Sequence, residues 1–305
     1  MTGSPVVARL RNRAERARQH RWRVAPYVSS ERHIVMGGAP RSGTTLLRRV
    51  LDRHPAIVAG AETKLFVPAA FNLEWLSTAY QIPLAELHGM RHASGSQAAF
   101  IDAFAARARL ASGKPRWAEK TPMNIRCLDW ITLHFPRASI VHVIRDARDV
   151  VCSMREHPDW RWQGDGWDKV LVPRSLETYA RRWVTDTAAG MRWRGHPGYV
   201  ELRYEDVVVD PAASLRGLCD AIGEEPVQAW LAEVSKPADH PGAATDDASG
   251  AGGPTSRPGP SARPDDKGAI SDVSVGRWRS DLSAAEQALV ARVCGARLRE
   301  LGYEA

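Results

Sequence analysis

The chain has 305 residues, of which 44% are hydrophobic and 25% are charged, and its formal net charge is +7 at pH 7. These values are ordinary for a soluble globular protein, and the positive charge favours an anionic ligand or surface. The sequence has no apolar run long enough to span a bilayer, and its start lacks the apolar core of a secretory signal peptide. A cytoplasmic protein is therefore expected.

Residues 1–30 form a basic arm, and they precede a single predicted domain that covers residues 31–305. The arm holds seven arginines, namely Arg9, Arg11, Arg13, Arg16, Arg18, Arg21 and Arg23. A solvated or frayed helix is the favoured interpretation, and an arm that binds nucleic acid or a membrane surface is the alternative.

The four cysteines are scattered and form no CxxC pair, which predicts reduced, mostly buried thiols rather than a disulfide or zinc framework. They are Cys127, Cys152, Cys219 and Cys294. The frequent use of arginine and alanine is compatible with a bacterial source.

The most informative stretch lies near the start of the domain. Ile34–Met36 is fully apolar and predicts a buried strand, Gly37–Gly43 is a turn of small residues, and Thr44–Asp52 has the apolar spacing of a helix. A glycine-rich turn between a strand and a helix directs backbone N–H groups and the positive helix end at one point. This arrangement captures phosphate or sulfate.

The same stretch differs from a nucleoside-triphosphate loop of the form GxxxxGK[ST]. Gly38 and Gly43 have the required spacing, but Thr44 occupies the position of the lysine and Thr45 follows it. The missing lysine argues against ATP or GTP, whereas the planar guanidinium of Arg41 suits an oxyanion. A P-loop nucleotide or sugar kinase stays open as the alternative.

The next segment predicts the acceptor side of a site. A short strand at Ile57–Ala59 leads to Glu62, Thr63 and Lys64, at the end of a strand where open α/β sheets place their ligands. Phe66–Tyr80 and Ala98–Leu110 are predicted helices. They should form one wall of the acceptor pocket.

Two further strands are predicted in the middle of the chain. Lys114–Thr121 runs into a loop and Pro122 begins a helix whose apolar stripe is Ile125, Leu128, Ile131 and Leu133. Ser139–Ile144 is a buried strand that delivers Arg145, and His142 within it is predicted to be a core residue. Lys120 is either a site residue or half of a surface ion pair with Glu119.

Trp160, Trp162 and Trp167 follow in a loop that contains glycine and aspartate. Packing in the core is the favoured interpretation, and a lid over the acceptor is the alternative. Beyond them, Arg174–Arg194 has the pattern of an amphipathic helix, and Tyr199–Tyr204 that of a strand.

The last part of the chain changes composition. Residues 237–266 are rich in glycine, alanine and proline, which predicts a flexible insertion, and a final helix is expected over Ser283–Leu301. Together these elements predict an α/β fold in which helices flank a central, mostly parallel sheet.

The sequence GGAPRSGTTLLRRVLDRHP resembles the 5′-phosphosulfate-binding loop of sulfotransferases that use 3′-phosphoadenosine 5′-phosphosulfate (PAPS). The branch that it resembles contains protein-tyrosine sulfotransferases and many bacterial relatives. The resemblance implies a P-loop NTPase-like three-layer fold. It also implies that the phosphosulfate is held by Arg41, Ser42, Gly43, Thr44 and Thr45.

Other matched positions imply how the rest of PAPS is bound. Arg145 and Ser153 match the two positions that hold the 3′-phosphate, and Tyr204 matches a tyrosine near the adenine. The segment VGRWRSDLS resembles one that closes over the nucleotide. The resemblance implies that this segment supplies contacts to the 3′-phosphate from Lys267, Ser274 and Arg277.

The resemblance also implies catalytic roles. Glu62 is expected to be the general base that takes the acceptor proton, with Lys120 acting on the bridging oxygen of the departing adenosine 3′,5′-bisphosphate (PAP). Lys64 stands where that branch prefers arginine and is expected to assist the transferring group, with Arg41 beside it. Many sulfotransferases use a histidine base instead, and the chain offers His88, His92, His134 and His142.

The expected function is transfer of a sulfuryl group from PAPS to a small-molecule or peptidic hydroxyl or phenol. No metal is expected, because arginine and lysine can neutralise the phosphosulfate and no HExxH or DxDxDG signature is present. A nucleic-acid-binding protein that uses the arginine-rich arm is a lower alternative, and no nucleic-acid partner is expected. The sequence indicates neither the acceptor nor the oligomeric state.

Overall fold

The computed structural model describes residues 15, 17–157, 159–162, 167–236 and 274–304. Among them, five parallel strands form one sheet in the order β2-β3-β1-β4-β7, and an antiparallel pair, β5 with β6, forms a separate hairpin. The strands in chain order are β1 Ile34–Gly37, β2 Ile57–Val58, β3 Arg116–Lys120, β4 Ser139–Ile144, β5 Asp159–Trp162, β6 Trp167–Val170 and β7 Tyr199–Arg203.

Helices connect the strands, together with two short 3₁₀ segments at Pro68–Ala70 and Pro122–Arg126. The helices in chain order are α1 Thr44–Asp52, α2 Leu73–Tyr80, α3 Leu84–Ala93, α4 Gln97–Ser112, α5 Leu128–His134, α6 Ala147–Arg155, α7 Leu176–Met191, α8 Tyr204–Val209, α9 Pro211–Ile222, α10 Gln228–Val234, α11 Trp278–Asp281 and α12 Ala284–Glu300. Within the described residues, no helix is long and apolar enough to cross a membrane.

The two faces of the central strand β1 belong to different hydrophobic cores. Ile34 and Met36 pack with α1, α9 and α10, whereas Val35 packs with residues of α2, α3, α4 and α5. This alternation follows from the two-residue period of a strand that is covered on both faces. The expected α/β architecture, a parallel sheet between two layers of helices, is confirmed.

The strand register brings the ends of the central strands to one edge of the sheet. Met36 is aligned with Lys120, and Gly37 is aligned with His142. The residues that follow β1, β3 and β4 therefore emerge side by side. This is the edge at which ligands bind in open parallel sheets.

Some local expectations were wrong. Leu133 is 67% exposed and not part of an apolar stripe, because it follows Ile131 by two residues in α5 and so lies about 200° around the helix from it. Between the predicted helices Phe66–Tyr80 and Ala98–Leu110 the structure contains a further helix, α3, which the sequence did not predict. Leu87 is the one buried residue of α3. A helix that buries so little apolar surface leaves a weak periodic signal.

The tryptophan segment was expected to be a loop, and it forms the hairpin of β5 and β6. Trp162 is paired with Trp167 in the antiparallel register. Alternating aromatic and polar residues on either side of the sequence QGDG are a hairpin signal, since aromatics favour strands and Gly and Asp favour turns. The insertion at 237–266 lies outside the described residues.

The basic arm is not wholly solvated where it is described. Residues 17–24 are helical, and Trp22 donates from Nε1 to the Ser94 carbonyl at 3.0 Å. The Arg23 guanidinium lies 4.2 Å from the Trp130 ring centre and donates to the Phe66 carbonyl. These aromatic contacts pack the end of the helix at residues 17–24 against the domain, with Trp22 and Arg23 half-buried.

His142 in β4 is fully buried, as expected for a core residue. Its Nδ1 lies 2.6 Å from the Tyr199 hydroxyl, and burial lowers the pKa of the imidazole to about 4. The unfolded chain, in which the pKa of histidine is near 6.5, takes up a proton before the folded state does. Stability is therefore lost as pH falls from about 6.5 to about 4.

We predict that His142→Asn removes this part of the acid sensitivity. Between pH 7 and pH 4.5 the free energy of unfolding of the wild type should fall by up to about 3 kcal/mol more than that of the variant. Urea denaturation at the two pH values measures the difference. His92→Asn is the control, because that side chain is exposed on α3 and should leave the pH dependence unchanged.

Candidate functional site

The loop after β1 forms a cradle for an anion. Gly43 caps the first turn of α1 with φ 99°, and Arg41 in the same loop has φ 72°, a backbone conformation unusual for a residue with a side chain. The first turn of α1 contains no acidic residue and its cap supplies no side-chain hydrogen bond. Its positive end and first N–H groups are therefore available to an anionic ligand.

Close packing explains the two glycines that bound this loop. A Cβ atom at Gly38 would lie 2.4 Å from the Val143 carbonyl oxygen, and one at Gly43 would lie 2.3 Å from the Tyr204 ring. No real Cβ makes contacts that short, so a side chain at either position would displace the loop or its neighbour. Tyr204 thus lies directly against the loop, and its contact with the adenine stays a prediction.

Arg41, Ser153 and Arg145 form one cluster beside the loop. The Arg41 Nε donates to the Ser153 Oγ at 3.0 Å, and the Arg145 Nη1 donates to the Arg41 carbonyl at 3.3 Å. The Arg145 guanidinium lies 4.4 Å from the centre of the Tyr204 ring. The loop after β1, the segment from the end of β4 into α6 and the start of α8 therefore bring together four residues for which the sequence predicts nucleotide contacts.

Two polar atoms of this cluster are buried without a hydrogen-bond partner in the described part of the chain. They are the Nε of Arg145, which is only 5% exposed, and the Oγ of Ser42, which is fully buried. A buried donor without a partner is costly, and such groups commonly mark a place where a ligand or water completes the bonding. Donors of this kind fit a phosphate or sulfate group.

The segment that begins at Ser274 contacts the same cluster. The Ser274 carbonyl accepts a hydrogen bond from Arg145, and its hydroxyl lies 2.8 Å from the Tyr204 hydroxyl. Asp149 accepts the N–H groups of Gly276 and Trp278 at 2.8 and 3.1 Å, which ties this segment to α6. Burial raises the pKa of the Asp149 carboxyl.

Arg277 is turned to carboxylates. Its guanidinium donates to Glu156 at 2.8 and 2.9 Å and to Asp281 at 2.6 Å. A contact between Arg277 and a 3′-phosphate stays a prediction, and Lys267 lies outside the described residues. The backbones of Trp160, Trp162 and Trp167 lie in the hairpin, so their part in binding an acceptor also stays a prediction.

Lys120 bonds both α1 and the predicted base, Glu62. Its Nζ lies 2.5 Å from the Glu62 Oε1 and 3.2 Å from the Thr45 Oγ1. The Lys120 side chain is 6% exposed, whereas that of Glu62 is 33% exposed. A buried ammonium group is thus shared between the anion cradle and a carboxylate that reaches solvent, and Lys120 does not form a surface pair with Glu119.

Lys64 lies beside this pair in a constrained turn. Its backbone has φ 58°, and its Nζ lies 3.9 Å above the centre of the Trp75 ring. Burial lowers the pKa of the Lys64 amine, the Glu62 carboxylate acts in the opposite direction, and Lys120 adds to the lowering. The Trp75 Nε1 also donates to the Glu62 carbonyl at 2.7 Å, so one tryptophan contacts both ends of the turn.

Sequence reasoning missed the role of Glu119, which is 1% exposed at the end of β3. Its carboxylate accepts from Thr63, Thr121 and Asn124. The available signal was strand alternation, since Glu119 and Lys120 are neighbours in a strand and must point to opposite faces. In the part of the chain that the structure describes, no group of three or more His, Cys, Asp or Glu side chains could hold a metal ion.

Comparisons with known proteins agree with this geometry. The model of the sulfotransferase family matches residues 33–228. Protein-tyrosine sulfotransferase A of Caenorhabditis elegans is 31% identical over 205 residues, which cover 64% of this chain and 50% of that protein. Human protein-tyrosine sulfotransferase 1 is 33% identical over 126 residues, which cover 40% and 33% of the two chains. This chain thus spans half the length of these relatives or less.

Solved structures show the same fold. The sulfotransferase domain of the Synechococcus PCC 7002 olefin synthase superposes with a TM-score of 0.59 at 18% identity, covering 92% of this chain and 98% of that one. Mouse sulfotransferase SULT7A1, solved in complex with PAP, superposes with a TM-score of 0.52 at 14% identity and covers 90% and 86%. Because the family model matches more than half of its length, this chain belongs to the sulfotransferase family.

Proposed function

We propose that this protein transfers a sulfuryl group from PAPS to a hydroxyl or phenol. The observation that carries the proposal is the position of the Lys120 ammonium group, which bonds both Thr45 on the anion cradle and the Glu62 carboxylate. A cation there lies between the place where a 5′-phosphosulfate fits and the place where an acceptor would lose its proton. Family membership and the absence of a P-loop lysine support sulfuryl rather than phosphoryl transfer.

PAPS supplies the sulfuryl group, and the residues of this chain fit its two anionic ends. Ser42 offers a buried hydroxyl that has no partner among the described residues, and the cradle adds backbone N–H groups, with Arg41 and Thr45 beside them. Arg145 offers for the 3′-phosphate an Nε that likewise has no partner in the described part of the chain, and Ser153 is bonded to Arg41 nearby. Guanidinium groups bind phosphate oxygens through strong, charge-assisted hydrogen bonds, and hydroxyls add further donors.

The roles of the reacting residues follow from their contacts. Glu62 accepts the proton of the acceptor hydroxyl, since its carboxylate is partly exposed and is held in place by Lys120. Lys120 then neutralises the charge that develops on the bridging oxygen as PAP departs. Lys64, with its ammonium group held over Trp75, adds positive charge beside the transferring group.

The proposed acceptor is a phenol or another hydroxyl, on a small molecule or on a peptide. The relatives named above are protein-tyrosine sulfotransferases, which favours a phenol. The hairpin of β5 and β6 is proposed as one wall of the acceptor site, because it follows α6, whose Ser153 belongs to the nucleotide cluster. A tyrosine peptide and 2-naphthol are suitable first acceptors.

We predict that Arg145→Ala weakens the binding of PAP by about 10- to 100-fold, because charge-assisted hydrogen bonds are worth about 1.5–3 kcal/mol. Calorimetric titration with PAP, and with ATP in parallel, measures the effect. Arg137→Ala is the control: it removes the same charge from an exposed residue whose Nη1 donates to the Ser30 carbonyl, and it should leave PAP affinity unchanged. A wild type that binds ATP more tightly than PAP would contradict the proposed donor.

We predict that Glu62→Gln lowers the rate of sulfuryl transfer by about 10²- to 10⁴-fold, because the amide cannot accept the acceptor proton. PAP affinity should stay within about twofold of the wild type, since the carboxylate touches Lys120 and not the cradle itself. Initial rates with PAPS and 2-naphthol give the comparison. Glu74→Gln, an exposed glutamate in the first turn of α2, is the control, and near-normal turnover of Glu62→Gln would remove the base assignment.

A further inference from the structure

The buried carboxylate of Glu119 is the strongest unexplained feature near the site. It receives four hydrogen bonds, from the Thr63 N–H at 3.1 Å, the Thr63 hydroxyl at 2.7 Å, the Thr121 hydroxyl at 2.6 Å and the Asn124 side-chain amide. All four partners have a proton to donate, and this arrangement suits an ionised carboxylate, which only accepts. Within the described residues, no arginine, lysine or histidine lies in ion-pair distance of it.

A carboxylate buried without a counter-ion is costly, and burial raises the pKa of Glu119 although its hydrogen bonds oppose the rise. A core position would hold an apolar residue at lower cost. The four hydrogen bonds of Glu119 therefore supply something that an apolar side chain could not supply there. Its partners indicate what that is, because two of the four bonds come from Thr63, the residue between Glu62 and Lys64.

We propose that Glu119 is a positioning residue that holds the turn of Glu62, Thr63 and Lys64 in its active geometry. The inference rests on the proposed function of Glu62. Glu119 fixes this turn at Thr63, the residue that follows the base, through both the N–H and the hydroxyl. It touches neither the base nor the anion cradle.

A second connection runs through Thr121. The Thr121 hydroxyl donates to Glu119 and accepts the Lys64 N–H at 3.1 Å. Because a hydroxyl has one proton, the carboxylate orients that proton and leaves a lone pair for Lys64. Lys64 has a left-handed backbone with φ 58°, a conformation that costs a non-glycine residue about 1 kcal/mol or more and persists only where neighbours enforce it.

Strand alternation makes two adjacent residues act on the same turn from opposite sides. Glu119 binds the backbone and hydroxyl of Thr63 on one face of β3, and Lys120 binds the carboxylate of Glu62 on the other. The end of β3 thus holds the turn of Glu62, Thr63 and Lys64 by contacts from both of its faces. Loss of Glu119 should still allow the Lys120–Glu62 ion pair, but it should let the backbone of the turn move. A displacement of a reacting group by about 1 Å can lower the rate by about 10²-fold.

The test compares Glu119→Met with the wild type in three measurements. Methionine removes both carboxylate oxygens, whereas glutamine would keep an oxygen in the place of Oε1, which accepts all three bonds from Thr63 and Thr121. Hydrogen–deuterium exchange should become faster at residues 61–65 and stay unchanged at residues 38–47, because none of the four described donors to Glu119 belongs to the cradle. PAP affinity from calorimetry should stay within about twofold. The kcat for PAP release from PAPS, with 2-naphthol as the test phenol, should fall about 10- to 100-fold.

Thr63→Val is the second variant, and it leaves Glu119 in place. It removes one of the four donors and should lower kcat less than Glu119→Met. The double variant should be no slower than Glu119→Met alone, since both changes remove the bond between the Thr63 hydroxyl and Glu119. Asp102→Asn is the matched control, because that carboxylate joins His33 and Tyr27 at the opposite end of the sheet and should change neither kcat nor exchange at 61–65.

The outcomes separate this inference from the proposed function. A wild type that binds no PAP and releases none from PAPS removes the proposed function, and the positioning role falls with it. A functional wild type with normal kcat in Glu119→Met overturns the inference and leaves the proposed function intact. If Glu119→Met does not fold, Thr63→Val decides: unchanged kcat and unchanged exchange at 61–65 overturn the inference.

Discussion

The site depends on one buried cation. The Lys120 ammonium group is almost fully removed from solvent, and it bonds the Glu62 carboxylate and the Thr45 hydroxyl at the same time. A buried charge is stable only with partners of good geometry, so this contact fixes the distance between α1 and the turn after β2. It also sets a positive charge where anionic oxygens of a donor and the proton of an acceptor would meet.

The geometry of the site depends on the conformation of the backbone as much as on side-chain contacts. Gly38 and Gly43 allow the loop to approach β4 and Tyr204 at distances that no side chain could occupy. Arg41 and Lys64 have left-handed backbones in the two segments that bear site residues. Such conformations are found where surrounding structure enforces them, and here both occur at the carboxyl edge of the sheet.

Buried polar residues support the two halves of the site differently. On the nucleotide side, Arg145 and Ser42 keep donors that lack partners in the described residues, so bonding capacity remains for a ligand. On the acceptor side, the carboxylate of Glu119 is bonded by four donors, three of them on Oε1 and one on Oε2. The first group is suited to binding and the second to holding geometry, because a satisfied network rigidifies what it connects.

The sequence by itself determined the strand, loop and helix around Gly38–Gly43 and the parallel α/β sheet, and the family resemblance assigned Arg41, Arg145, Ser153 and Tyr204 to one predicted nucleotide site. Apolar runs, glycine spacing and a family resemblance can all be recognised in the sequence alone. Only the tertiary structure decided that Lys120 pairs with Glu62, because residues 58 positions apart meet through strand order. It alone also decided that Glu119 is buried and that Arg277 faces carboxylates, since the partner of a charged side chain depends on elements distant in sequence.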